Sequence, residues 1–174
     1  MTAREPTATK LYLGVEAIAA SASPALGIET VRVTVPSRFD GRPAETTAIR
    51  FSPSVIAELE QLIEDFDLDL VWLSPWIDSR AVPRLTDALG TLVGGRVLPM
   101  PLGRMSGGYR HNWKAQALIR DLRQHPADFI WVDSGAWHQW KEARNTLPVR
   151  SCLVDGLTSD DVSVVREFLE QGAA

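Results

Sequence analysis

Four side chains suited to acid–base or phosphate chemistry stand at or near the ends of apolar segments. Ser74 follows the run LVWL, Asp133 follows FIWV, and Glu16 follows LYLGV. Lys114 lies near the start of a segment with helical periodicity, NWKAQALIRDLRQ. Ligands of open α/β sheets bind outside the carboxyl ends of the strands, which is where such groups would lie. A hydroxyl, a lysine and an acid there could together hold a phosphate and its metal ion.

The apolar pattern predicts the elements that must position these groups. Valines alternate with polar residues in VRVTV, and Asp40-Gly41 supplies turn chemistry, so a β-hairpin is expected over residues 30–51. An Ala/Ser-rich loop is expected between the first strand and about Gly27. The other predicted strands are 10–15, 68–74, 95–100, 128–134 and 149–154. The predicted helices are 53–66, 79–89, 112–124 and 157–172, with 137–145 as a short helix or turn.

Capping residues support several of these boundaries. Ser52 is placed to cap the helix that begins at Pro53, and Gly90 is placed to end the next helix. Thr158 and Asp161 have the spacing of a capping box at the start of the last helix, which Gly172 would end.

Strands that alternate with helices predict a three-layer α/β/α, Rossmann-like parallel sheet joined by right-handed crossovers. The length of 174 residues suits a single domain, 1–174, with residues 1–9 as a flexible tail and the hairpin over 30–51 as an insertion.

Composition excludes several other classes of protein. The net charge of −4 gives no general nucleic-acid footprint, and the single cysteine, Cys152, excludes an intrachain disulfide or a thiolate zinc cluster. No apolar run approaches the roughly 20 residues of a membrane span. Glu16 interrupts the apolar run that begins at Leu11, so we interpret this run as a core strand rather than an export signal, and expect a cytoplasmic protein without a membrane partner.

The order of these motifs resembles the haloacid dehalogenase (HAD) superfamily. It is similar in particular to small actinobacterial HAD-like proteins related to the HAD modules of RNA-repair proteins. The motifs that carry the resemblance are LYLGVEA, VRVTVPSRFDG, LVWLSPW, NWKAQAL and FIWVDS. The resemblance implies a HAD-like fold in which the hairpin forms a flap over the site.

The resemblance also implies roles for individual residues. Ser74 would match the hydroxyl and Lys114 the lysine that bind the transferring phosphoryl group, and Asp133 would match the acid that ligates Mg²⁺. Ser134 stands where a second acid often occurs. Arg110 and His111, with Arg104, lie near Lys114 in a Gly-rich loop and could add phosphate contacts, or they could form a solvated basic loop.

The first motif departs from the family pattern of Asp-x-Asp. Gly14 occupies the position of the nucleophilic aspartate, and Glu16 occupies that of the general acid/base. Without a carboxylate at position 14 no aspartyl-phosphate can form there, and a bound Mg²⁺ would be weakened or lost because it lacks one anionic ligand.

Three functions are therefore open. The first is a catalytically degenerate HAD-like protein that binds a phosphorylated small molecule or a protein partner. The second is an active Mg²⁺-dependent phosphohydrolase or phosphotransferase acting on a phosphate monoester, a nucleotide or a nucleic-acid end. The third is a purely structural interaction subunit, in which Trp76 and Trp137 pack across a closed cleft.

Two surface features bear on possible partners. Four arginines make the hairpin basic, which would guide an anionic ligand or an acidic protein surface: Arg32, Arg38, Arg42 and Arg50. The six tryptophans divide into two in core strands, Trp72 and Trp131, and others that follow strand ends or lie in the Lys114 helix. The sequence pattern gives no oligomeric state.

Overall fold

A computed structural model describes residues 8–19, 27–35, 43–74, 81–100, 107–134, 146–149, 151 and 155–172. The strands are β1 (Lys10–Leu13), β2 (Glu29–Val35), β3 (Glu45–Phe51), β4 (Asp69–Trp72), β5 (Arg96–Val97), β6 (Phe129–Val132) and β7 (Thr146–Val149). The helices are α1 (Val15–Ile18), α2 (Pro53–Asp65), α3 (Val82–Leu89), α4 (Gly107–Gln124) and α5 (Ser159–Gly172).

Five of the strands form a parallel sheet with β1 at its centre. The order is β5-β4-β1-β6-β7, and every neighbouring pair runs parallel. Leu13 is in register with Trp72 on one side and with Val132 on the other. The predicted parallel sheet is confirmed, and its central strand is the one that ends at Gly14.

Helices cover both faces of this sheet, as the three-layer prediction requires. Leu11 and Leu13 of β1 pack in a core with buried residues of α2, α3 and α5. Tyr12, which points to the opposite face, packs in a second core with Trp113 and Leu118 of α4. Successive residues of a strand point to opposite faces, so continuous apolar strands belong between two helical layers. The core positions predicted for Trp72 and Trp131 are likewise confirmed, because both side chains are buried.

The inserted hairpin is anchored in the main core. Strands β2 and β3 pair antiparallel, and Val33, Ile49 and Phe51 are buried against the core on the α2, α3 and α5 side. Arg84 of α3 donates a hydrogen bond of 2.9 Å to the carbonyl of Thr34. The predicted hairpin is therefore confirmed; its Asp40-Gly41 turn, with Arg38 and Arg42, lies outside the described residues.

The predicted capping box is confirmed, whereas the Ser52 cap differs from expectation. Asp161 accepts hydrogen bonds from the Thr158 N–H and hydroxyl, and its own N–H donates to the Thr158 hydroxyl. Ser52 does lie at the N-cap position of α2, but its hydroxyl contacts the Ser54 hydroxyl at 3.0 Å instead of a backbone N–H.

Other boundaries also differ from the sequence pattern. The predicted loop after β1 begins with a helical turn, because burial of Val15, Ala17 and Ile18 outweighs the weak propensity of so short a segment. Helix α4 begins at Gly107, five residues earlier than expected.

The last strand lies at Thr146–Val149 rather than over 149–154, so that prediction is wrong. Pro148 argues against a central strand, but among the described strands β7 pairs with β6 alone and lies at the sheet edge, where proline is tolerated. Cys152 lies outside the described residues.

The chain enters the sheet just before β1. Residues 1–7 of the expected tail lie outside the described part of the chain, whereas the carbonyl of Thr9 accepts a hydrogen bond of 3.0 Å from the Asp69 N–H. Among the described helices, none has the length and apolar character needed to cross a bilayer.

Candidate functional site

Three strand ends meet in register at one edge of the sheet. The Gly14 N–H donates to the carbonyl of Val132 at 3.0 Å, and the Leu73 N–H donates to the carbonyl of Leu13 at 2.9 Å. These bonds extend the β1–β6 and β1–β4 pairings by one residue. Gly14, Asp133 and the residue after Leu73 therefore lie at the same carboxyl edge, as the sequence pattern predicts.

Lys114 joins two acids at this edge. Its ammonium nitrogen lies 2.5 Å from Oδ2 of Asp133 and 3.3 Å from Oε2 of Glu16. The Asp133 side chain is only 3% exposed, whereas the Lys114 and Glu16 side chains are 17% and 29% exposed. We call these three side chains the Lys114 trio. The structure thus brings together three of the four residues that the sequence singled out.

Asp133 fills the space that a side chain at position 14 would need. A β-carbon built on Gly14 would overlap Oδ2 of Asp133 and would lie 3.2 Å from its Cγ and 3.3 Å from Oε2 of Glu16. The backbone at Gly14 is extended, with φ −81° and ψ 136°, a conformation open to any residue. The site therefore requires glycine for space and not for backbone conformation.

The Gly14 carbonyl is also occupied. It accepts a hydrogen bond of 3.0 Å from the Ala17 N–H in the turn that carries Glu16. This bond ties the turn that carries Glu16 to the end of β1, so the ends of β1 and β6 position the trio together with α4.

Ser74 lies at the end of β4 with a buried hydroxyl that lacks a partner in the described part of the chain. The residue is fully buried, and none of the described residues forms a hydrogen bond with its Oγ. A buried polar group without a hydrogen bond costs about 1–3 kcal/mol, so such a group is a candidate for binding a ligand.

A second hydroxyl of this kind, Ser151, is one that the sequence analysis missed. It is 2% exposed, its Oγ has no partner in the described ranges, and it lies two residues after β7. The Asp133 N–H donates to the carbonyl of Val149, so β7 ends at the same edge as the trio. A polar residue that follows a strand could have indicated Ser151. The last strand was predicted over 149–154, however, so Ser151 was placed in the middle of that strand instead of after it.

The side chains of the other predicted site residues are not among those that the structure describes. Arg110 and His111 lie in the first turns of α4, but the described structure does not include their side chains. Arg104, Trp76 and Trp137 lie outside the described residues altogether.

A separate ionic cluster lies near the opposite end of β1, and the sequence analysis missed it. Asp121 of α4 accepts hydrogen bonds from Lys10 at 3.0 Å, from Tyr12 at 2.6 Å and from both terminal nitrogens of Arg96 at 2.6 Å. The Lys10 ammonium also donates to the His125 carbonyl at 2.6 Å. We call these residues the Asp121 cluster. A signal was available, because Lys10 and Tyr12 share one face of β1 and Asp121 follows Lys114 by two helical turns.

Three residues of the Asp121 cluster have shifted pKa values: Asp121, Tyr12 and Arg96. Burial alone would raise the pKa of the Asp121 carboxyl, but the hydrogen bonds from Arg96, Tyr12 and Lys10 outweigh burial and hold it well below its ordinary value. Burial, together with the bond to Asp121, raises the pKa of the Tyr12 phenol far above its ordinary value. The same carboxylate raises the pKa of Arg96. At neutral pH the Asp121 carboxylate and the Arg96 guanidinium are therefore charged and the Tyr12 phenol is neutral, and their hydrogen bonds tie α4 to the sheet.

The Mg²⁺ site that the HAD resemblance implies does not fit the residues present. Mg²⁺ prefers six oxygen ligands at about 2.0–2.1 Å in an octahedron. Gly14 offers no carboxylate, and both acids of the trio already contact the Lys114 ammonium. The described ranges contain no group of three His, Cys, Asp or Glu side chains suited to hold a metal ion.

The chain was compared with known proteins. Residues 30–162 match the family described as the HAD domain in Swiss Army Knife RNA repair proteins. This match covers more than half of the chain. The protein belongs to this HAD family. The predicted HAD-like fold is therefore confirmed by both the match and the sheet.

The matched segment includes Ser74, Lys114 and Asp133 but begins after Gly14 and Glu16. Membership of this HAD family supports a phosphohydrolase-type ancestry, while the first motif is described by the structure alone. No curated protein and no solved structure matches the chain significantly.

Proposed function

We propose that this HAD-family protein binds a phosphate monoester at the Lys114 trio without hydrolysing it. One observation carries the proposal: the Asp133 carboxylate, held by Lys114, fills the volume where a nucleophilic side chain at position 14 would lie. Loss of a central catalytic group typically lowers turnover by about 10⁴-fold or more. HAD ancestry supplies the expectation that the ligand is a phosphorylated molecule.

The charge of the trio determines how a phosphate would bind. Two carboxylates and one ammonium sum to one negative charge, which opposes an anion. Glu16 is the weaker partner, because its oxygen is 3.3 Å from the ammonium and its side chain is 29% exposed. A phosphate would displace Glu16 from Lys114 and leave the buried Asp133 contact in place. The buried hydroxyl of Ser74 is the candidate for a second hydrogen bond.

The test is calorimetric titration of the full chain with inorganic phosphate and phenyl phosphate. We expect Lys114→Met to weaken binding at least about tenfold, because it removes the positive charge while keeping the length of the side chain. Glu16→Gln is expected to strengthen binding, because it frees the ammonium and removes one repulsive charge. Arg166→Met, which removes an exposed cation from α5, is the matched control and should leave binding unchanged.

The result that overturns the proposal is phosphate binding that is absent in the natural chain, or equal in the natural chain and Lys114→Met. Because the matched family is the HAD domain in RNA repair proteins, a 5′-phosphorylated oligonucleotide is a useful third probe. Its unphosphorylated form is the control, because only a site for the phosphate monoester should separate the two.

The second candidate function is an active phosphohydrolase. The overlap between Asp133 and a side chain at position 14 favours Asp133 as its nucleophile. Because Oδ2 of Asp133 lies where a side chain at position 14 would begin, Asp133 is the carboxylate placed to attack phosphorus. The bond to the leaving oxygen would break, that oxygen would take a proton, and water would then cleave the acyl phosphate. The signature of this candidate is turnover that requires Asp133.

A further inference from the structure

A groove lies between α2 and the segment that joins α3 to β5, at the opposite end of β4 from the Lys114 trio. Its volume is about 360 Å³. Five apolar residues line it: Ile63, Leu68, Leu70, Leu92 and Val93. We call this surface the α2–β5 groove. Leu68, Leu70 and Leu92 are buried members of the main core, so the apolar floor of the groove is formed by the fold itself.

Val93 projects from the wall of the groove into solvent. It is 84% exposed and is one of two large apolar residues that are exposed in the described part of the chain. Exposed apolar surface with a polar rim is typical of sites where another molecule binds. Val93 and the groove beside it form such a surface.

The segment that carries Val93 is held in a fixed conformation. The Leu92 N–H donates a hydrogen bond of 3.0 Å to Oε1 of Glu60, and the Trp72 indole N–H donates one of 3.2 Å to the carbonyl of Gly94. Leu92 also has a left-handed backbone, with φ +57°, which is uncommon for residues other than glycine. The exposure of Val93 is therefore imposed by the anchored backbone on both sides of it.

The rim of the groove is acidic. Glu60, Glu64 and Asp69 line it, and no basic residue does so among the described lining residues. Glu60 and Glu64 lie one turn apart on α2, a spacing at which like charges repel. Asp69 lies 3.6 Å from Arg96, but the shorter contact of that guanidinium, at 2.6 Å, is with Asp121. A cation from another molecule would relieve this excess of negative charge.

We propose that the α2–β5 groove binds a basic segment of a partner protein, with an aliphatic side chain in the groove and Lys or Arg side chains at its acidic rim. Charge complementarity of this kind selects partners and register. A small molecule confined to the groove would leave Val93 exposed, whereas a chain segment that crosses the groove covers both. The proposal does not depend on whether the Lys114 trio binds phosphate.

The experiment is a nuclear magnetic resonance titration of the full chain, labelled with ¹⁵N, with the peptide Gly-Arg-Leu-Lys-Leu-Arg-Gly at low ionic strength. We expect saturable shifts of the backbone amides of residues 60–64 and 92–95. A peptide with serine in place of both leucines should bind at least about fivefold more weakly, because it buries less apolar surface. A peptide with glutamate in place of Arg and Lys should not bind.

Four variants test the two parts of the surface. Glu64→Lys should weaken binding of the first peptide at least about fivefold, because it reverses an exposed charge at the rim. Glu170→Lys makes the same change in net charge on α5 and should have no effect. Val93→Ser should weaken binding at least about threefold, because it removes exposed apolar surface. Val164→Ser, at the other exposed apolar residue, is its control.

Three results would overturn the proposal. The first is the absence of saturable shifts at peptide concentrations up to about 1 mM. The second is equal binding by the natural chain and Glu64→Lys. The third is a dimer of the natural chain in sedimentation velocity that Val93→Ser dissociates, because a second copy of the chain would then cover the groove.

Discussion

At the scale of single residues, the distinctive feature is that the side chain of Asp133 occupies the volume that a side chain at position 14 would need. The extended backbone at Gly14 would accept any side chain, but the carboxylate of Asp133 occupies the volume. Gly14 is thus part of a packed arrangement, in which the Asp133 carboxylate, paired with Lys114, lies where a side chain at position 14 would begin.

Adding a methyl group at this position should be destabilising. We expect Gly14→Ala to lower the free energy of unfolding by about 1–3 kcal/mol, because the buried carboxylate must move away from Lys114 or the backbone must shift. Chemical denaturation measures this change. Gly172→Ala is the matched control, because nothing lies within 4 Å of a β-carbon there, and its effect should stay within about 0.5 kcal/mol.

A double-mutant cycle identifies the cause of the effect. If Asp133 is the obstacle, Gly14→Ala should cost much less in an Asp133→Ala background, because the overlapping oxygen is gone. Equal costs in both backgrounds would show that the packing around Gly14 has another origin.

The sequence allowed the members of the trio to be predicted but not their contacts. Glu16, Lys114 and Asp133 follow from strand ends and helix starts, which the apolar pattern locates well. The overlap at position 14 depends on a side-chain rotamer of Asp133, and residue spacing carries no information about rotamers. Ser151 was not predicted as a site residue, because the strand before it was predicted a few residues too late in the sequence.

At the scale of elements, the trio depends on the position of α4 relative to β1. Lys114 and Asp121 lie two turns apart on α4, and each contacts a group carried by β1 or the turn after it: Glu16 for Lys114, and Lys10 and Tyr12 for Asp121. The Asp121 cluster therefore fixes the helix that carries Lys114.

Removing the carboxylate of the cluster should weaken this attachment. We expect Asp121→Asn to lower the free energy of unfolding by about 3–5 kcal/mol, because Lys10 would remain buried without its counter-charge. Thermal or denaturant unfolding gives the value. Asp87→Asn, at an exposed position of α3, is the control and should be nearly neutral. A change of similar size in both variants would mean that the cluster does not anchor α4.

The elements show where sequence patterns succeed and where they fail. The parallel sheet, the hairpin, α2, α3 and α5 follow from periodicity and capping residues, and these predictions were confirmed. The turn α1 depends on tertiary burial of three apolar residues, and β7 depends on its place at the sheet edge. Neither tertiary burial nor edge position can be derived from local sequence alone.

At the scale of the whole molecule, the depressed pKa of Asp121 makes stability depend on acid pH. A carboxyl whose pKa is lower in the folded state contributes stability that is fully present above its ordinary value of 3.8 and is lost as pH falls below that value. We expect the free energy of unfolding to fall between about pH 4 and pH 2. The measurement is denaturant unfolding as a function of pH.

Asp121→Asn provides the control for this dependence. The variant should show a flatter profile over the same range, because it lacks the group that binds a proton preferentially in the unfolded state. A profile that keeps its slope in the variant would assign the acid sensitivity to other carboxyls, such as Asp65, whose pKa is lowered by hydrogen bonds from Gln61 and Arg166.

The chain belongs to a HAD family, and Gly14, which has no carboxylate, stands where the sequence resemblance predicts the nucleophilic aspartate. Its sheet order, its two cores and the matched residues 30–162 support the ancestry. Our proposal that the Lys114 trio binds its ligand without hydrolysing it remains to be tested; it rests on the ion pairs of Lys114 with Asp133 and Glu16 and on the Asp133 carboxylate beside Gly14.

The most direct test is phosphate release from an aryl phosphate, measured with and without Mg²⁺ for the natural chain and for Asp133→Asn. We expect no release above the uncatalysed rate for either protein under either condition. Robust Mg²⁺-dependent release by the natural chain that disappears in Asp133→Asn would contradict it, and would identify Asp133 as essential to a working phosphohydrolase.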